Sequence, residues 1–97
     1  MDTGTTQWHV YVIQCSDSSF YTGITTDVER RFADHAGKRG AKYFRLHTPE
    51  KLVYVESGHS RSSAGKREIE IKRLTRAEKI RLILQQPPLT MRFCNKG

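Results

Sequence analysis

Long apolar runs are missing from this chain. No more than four apolar residues follow one another, as in Val10–Ile13, whereas a bilayer-spanning helix needs about 20, so no membrane association is expected. Cysteine is scarce too: Cys15 and Cys94 are too few for a disulfide scaffold, and neither has a second Cys or a His at metal-ligand spacing. The opening MDTGTTQW has neither the basic nor the apolar region of a secretory leader. Free thiols and a cytoplasmic location are the expectation. Proline is sparse, and its one pair, Pro87 and Pro88, stands where it would stop a final helix. No repeat, low-complexity tract or linker interrupts the 97 residues. One domain spanning 1–97, with a core at about 8–86, is therefore expected.

Negative charge is also short, with 10 acidic against 17 basic side chains and a formal charge of +7. An excess of this size draws a protein toward polyanions, nucleic acid first among them. It is unevenly placed. Residues 37–48 carry Lys38, Arg39, Lys42 and Arg45 and no acidic residue, and residues 61–81 carry eight basic against three acidic side chains. The first stretch is expected to track a phosphate backbone, with Tyr43 or Phe44 stacking on an unpaired base.

The elements can be read in order. Residues 8–15 (WHVYVIQC) and 20–25 (FYTGIT) are β-branched and aromatic around the turn formers SDSS, which spells a hairpin. Asp27 can cap a helix whose inward positions are Val28, Phe32 and His35 and which Gly37 ends. A third strand covers 51–56, a second helix about 63–74, and the capping box Thr75 to Glu78 opens a last helix with Ala77, Ile80, Ile83 and Leu84 inward. The order ββαβαα predicts an α+β domain, a small three-stranded sheet, mixed or antiparallel, flanked by helices.

Some residues fit this scaffold poorly. The stripe of the second helix should run Ala64, position 67 or 68, Ile71, Leu74, yet the middle residues are Arg67 and Glu68. A carboxylate there either leans into water or sits where a cation, such as a divalent metal, compensates it. Arg31 and His35 are i, i+4 neighbours and share a helix face. Gly23 within a strand implies a bulge or a close approach, for which a phosphate beside Tyr21 is a candidate. Tyr11 and Tyr21 share a face of the hairpin if its loop has three or five residues, and oppose one another if it has four.

The pattern of Tyr11, then Tyr21-Thr22-Gly23, then Arg31, His35 and a glutamate on a later helix resembles the GIY-YIG nuclease superfamily. More narrowly, YTGITTDVERRFADH, GAKYFR, LVYVE and KREIEIKRLTRAEK are similar to its small single-domain bacterial members. The first triplet departs from the motif, being His9-Val10-Tyr11. The resemblance implies a metal-dependent endonuclease or related phosphodiesterase, with Tyr11, Tyr21, Arg31, His35 and Glu68 catalytic and Glu68 holding one Mg²⁺ or Mn²⁺. Gly23, Lys38, Arg39, Lys42, Tyr43 and Arg45 are then expected to meet nucleic acid, DNA ahead of RNA, with a protein partner supplying any targeting. A tyrosine near pKa 10 is a poor base at neutral pH, so Tyr21, His35 and positive charge are expected to pull the proton from Tyr11. The alternative is a nucleic-acid-binding module that cuts weakly or not at all.

Overall fold

The structure is a computed structural model that describes residues 6–37, 44 and 46–86. Strand β1 (Trp8–Cys15) turns into β2 (Phe20–Thr25), helix α1 (Val28–Ala36) follows, and β3 (Pro49–His59) precedes helices α2 (Arg61–Lys72) and α3 (Arg76–Leu84). The order is the expected ββαβαα. All pairings are antiparallel, and β1 lies in the middle of the order β2-β1-β3.

The hairpin loop decides which side chains share a face. Cys15 N–H donates to Ser19 C=O and Ser18 N–H to Cys15 C=O, both at 2.9 Å, leaving a three-residue connection. Ser18 takes the left-handed conformation (φ 68°) that such loops use to match the strand twist. Asp17 fastens the turn by accepting from Ser19 N–H and Ser19 O–H. Gln14 then stands opposite Phe20, Ile13 opposite Tyr21 and Tyr11 opposite Gly23. In this register odd-numbered residues of both strands point the same way, so Tyr11 and Tyr21 are co-facial.

Period-two alternation builds two cores on one sheet. Tyr11, Ile13 and Cys15 pack with Phe32 of α1, Phe44 and Leu52, while Val10 and Val12 pack with Tyr54 and with Ala64 and Ile71 of α2. The helices begin where side chains satisfy their orphan amides: Asp27 accepts from Arg30 N–H, and Ser60/Ser63 and Thr75/Glu78 form reciprocal capping boxes. The Ser60 box starts α2 two residues earlier than the apolar pattern indicates, and β3 extends beyond 51–56 at both ends.

Helix α3 departs from expectation. Its contacts to the core run through Leu82 and Ile83, whereas Ala77 is exposed and Ile80 and Leu84 are 38% and 76% exposed. Beyond its end, Gln86 donates to Val55 C=O at 2.6 Å and accepts from Val55 N–H at 3.0 Å. That amide pairs backbone groups on the outer edge of β3 and ties the end of α3 to it.

Candidate active site

Tyr11 and His35 form the centre of the site. The Tyr11 ring, 2% exposed, and the His35 ring, 0% exposed, meet through a hydrogen bond of 2.9 Å between the phenol oxygen and Nε2. The central strand supplies the tyrosine, and the last turn of α1 supplies the histidine. Tyr21 completes a ring trio, its centroid 6.3 Å from Tyr11 and 5.3 Å from His35. Phe44 closes the far side, 4.8 Å from Tyr21 and 4.3 Å from His35. Being fully buried there, Phe44 is a wall of the ring cluster, and of the two stacking candidates it is not available to a base. Lys38, Arg39, Lys42, Tyr43 and Arg45 lie outside the described residues.

Gly23 has a packing reason. A Cβ built on it would stand 2.5 Å from the Tyr11 hydroxyl and 2.7 Å from Cζ. The space expected for a phosphate at this glycine is filled by the tyrosine ring from the strand opposite.

Burial dominates the electrostatics. It pushes the Tyr11 phenol well above its ordinary value, with the nearness of Tyr21 and the Glu68 carboxylate adding to the rise and Arg31 opposing it. The resting phenol therefore holds its proton. Burial, then the Arg31 guanidinium, pulls His35 down to about 4. The imidazole is neutral at physiological pH; Nε2 shares its hydrogen bond with the Tyr11 hydroxyl, and Nδ1 is buried with no hydrogen-bond partner among the described residues.

The depressed His35 makes stability depend on pH in a defined window. Between about 6.5 and about 4 the unfolded chain binds a proton that the folded chain refuses. Stability is expected to be full above pH 6.5 and to fall by about 3 kcal/mol as pH drops to 4. Carboxylates act lower: Asp17, held at about 2 chiefly by Ser19 and also by His47, gives up its contribution only below about pH 4. Urea unfolding of wild type and His35→Gln between pH 7 and 4.5 checks this, since the variant should lose most of the slope.

Arg31 sits on α1 beside this pair, 39% exposed and 3.9 Å from Asp34. With Thr25, Thr26, Asp27, Arg30 and Asp34 it lines an open polar recess. Its fork of donors suits a phosphate.

The two charges on the α2 stripe part company in the fold. Arg67 reaches β3, where its Nε lies 3.1 Å from both Glu56 oxygens and its Nη1 3.1 Å from Glu70. Glu56 also accepts from Tyr54 O–H at 2.7 Å and meets His59 Nε2 at 2.6 Å, so Arg67 belongs to a clamp between α2 and β3. Glu68 lies outside that clamp, and its field is felt at Tyr11. Its ion pair is with Lys72, at 3.3 Å. Among the described residues no set of three or more His, Cys, Asp or Glu side chains gathers as a metal site. A single hard carboxylate suits Mg²⁺ or Mn²⁺ when substrate oxygens and water complete the shell. Lys72 was missed by sequence reasoning, although its i+4 spacing from Glu68 was the available signal.

The pattern of the GIY-YIG catalytic domain matches residues 7–81, which hold Tyr11, Tyr21, Arg31, His35 and Glu68. The chain belongs to the GIY-YIG family. Its relatives are small: a UPF0213 protein of Halobacterium salinarum is 56% identical over 71 residues, covering 73% of this chain and 92% of that one. A UPF0213 protein of Syntrophus aciditrophicus is 48% identical over 80 residues, covering 81% and 92%. The solution NMR structure of the UPF0213 protein of Bacillus halodurans superposes with a TM-score of 0.54 at 41% identity, covering 82% of this chain and 85% of that one. The fold and the nuclease-type assignment of this GIY-YIG chain thus agree with its sequence pattern. No helix among the described residues is long and apolar enough to cross a membrane.

Proposed function

We propose that the protein is a metal-dependent endonuclease that hydrolyses nucleic-acid phosphodiester bonds, DNA ahead of RNA. The observation that carries this reading is the buried 2.9 Å contact between the Tyr11 hydroxyl and His35 Nε2, with Arg31 and Glu68 acting on the same hydroxyl. Arg31 binds the non-bridging oxygens of the scissile phosphate. Tyr11 takes a proton from the attacking water as it passes its own to His35 Nε2, so the buried phenol never carries a full charge. The phosphate also cancels the Arg31 charge that helps depress His35, which makes the imidazole a better acceptor once substrate is bound. Glu68 would hold the divalent ion, which supplies charge neutralisation at the phosphate.

A second reading, a binding module that cuts weakly or not at all, is favoured by the firmly held Tyr11 proton and by the Lys72 ammonium on Glu68. A panel of single-stranded, duplex, flap and branched DNA and RNA with Mg²⁺ or Mn²⁺ decides between them. Cleavage of at least one substrate, lost with chelator and in Tyr11→Phe, is the expected result. Binding to several substrates with none cut transfers the assignment to the second reading.

A further inference from the structure

We propose that Lys72 is an internal cation that occupies Glu68 and has to release it before a divalent ion can bind. The inference rests on the reading of Glu68 as a metal-holding residue. Its first support is the contact itself, Lys72 Nζ at 3.3 Å from Glu68 Oε2. A divalent ion binds a carboxylate oxygen at about 2.0–2.6 Å, so an ammonium on that oxygen stands in its approach and repels it. The spacing is the favourable one, glutamate one turn before lysine, which holds the pair together on the helix.

The second support is asymmetry of burial. The Glu68 side chain is 22% exposed and that of Lys72 is 52% exposed. The carboxylate is largely covered by its surroundings, while the ammonium rides on a flexible four-carbon stem that can swing into water. Arg67 is directed elsewhere, its Nε held by Glu56 and its Nη1 by Glu70. Lys72 is therefore the removable cation at Glu68 among the described residues.

Competition of this kind reduces metal affinity by the fraction of time the carboxylate is open. Without nucleic acid, one carboxylate shared with a lysine holds the ion poorly. A bound phosphodiester changes both sides of the balance, since its oxygens add ligands and its negative charge draws the ammonium away. Lys72 thus ties metal loading to the presence of substrate. It is a positioning residue, acting on the reaction through Glu68.

The test is a Mn²⁺ titration of the full chain without nucleic acid, read by paramagnetic broadening of backbone amide NMR signals along α2. Lys72→Met keeps the stem and removes the charge, and its signals around Glu68 should broaden at a Mn²⁺ concentration lower by about three-fold or more. Lys66→Met removes the same charge from an exposed residue of the same helix and should leave the midpoint within about 1.5-fold of wild type. Glu68→Gln should abolish the local broadening in both backgrounds. Equal midpoints for wild type and Lys72→Met overturn the proposal, as do an equal shift in Lys66→Met or no local broadening in Lys72→Met. Should Lys72→Met misfold, judged by its metal-free spectrum, Lys72→Gln carries the same comparison. Broadening reads binding and not cleavage, so a protein that cuts nothing can still pass, whereas a Glu68→Gln protein that cuts normally removes Glu68 from the proposed reaction and leaves the Mn²⁺ comparison to be judged by its own midpoints.

Discussion

Glu68→Gln is expected to reduce cleavage by at least about two orders of magnitude while nucleic-acid affinity stays within about two-fold of wild type. The substitution keeps size and helix propensity and removes the charge that a divalent ion requires. The fold has little to lose. Glu68 stands between Ala64 and Ile71, which are fully buried and hold α2 to the sheet without it, and its ion pair with half-exposed Lys72 contributes no more than about 0.5 kcal/mol. Single-turnover cleavage, fluorescence anisotropy with labelled oligonucleotide and a thermal melt separate the three quantities. A variant that cuts as fast as wild type removes the metal from Glu68. A variant that neither cuts nor binds assigns Glu68 to substrate binding and not to the chemical step alone.

The contrast between Glu68 and Arg67 shows where sequence reasoning stops. Their spacing from Ala64 and Ile71 reveals that charge interrupts an inward stripe, which is a property of one helix. Which charge is spoken for depends on β3, because Glu56 reaches Arg67 only after the strand has paired with β1 and α2 has crossed the sheet. Local patterns carried more where the determinant was local. The co-facial tyrosines follow from period-two alternation once the structure supplies the three-residue loop, and the starts of α1 and α3 follow from Asp27 and Thr75. In α3 the capping box and inward Ile83 hold, but Ala77, Ile80 and Leu84 are exposed, because an apolar stripe does not say which part of it is covered; the Gln86 contact with Val55 at the helix end joins residues 31 apart in sequence.

Phe44 and Tyr11 show how burial overrides what neighbouring residues suggest. An aromatic amid basic residues reads as a stacking surface, but Phe44 finds Tyr21 and His35 and is sealed between them. Positive neighbours read as activators of a tyrosine, yet burial outweighs Arg31 and holds the Tyr11 proton in place. Desolvation is the larger effect at a ring only 2% exposed. It is also invisible in a list of neighbouring charges.

Gly23→Ala carries the other large expected effect, and its logic is steric. The three atoms nearest to an added Cβ, at 2.5, 2.7 and 3.1 Å, all belong to Tyr11. A separation under 3 Å forces the ring to move, and a buried ring tied to His35 cannot do so freely. A destabilisation of about 1–3 kcal/mol is expected from overpacking, together with loss of nearly all cleavage, because the hydroxyl leaves its 2.9 Å contact with His35. The double-mutant cycle with Tyr11→Ala isolates the cause. With the ring removed, nothing else stands among the nearest atoms, so Gly23→Ala should become neutral or slightly stabilising in that background. A glycine kept instead for close approach of a phosphate would behave in the opposite way: Gly23→Ala would leave thermal stability unchanged, weaken nucleic-acid binding, and do so equally whether or not Tyr11 is present.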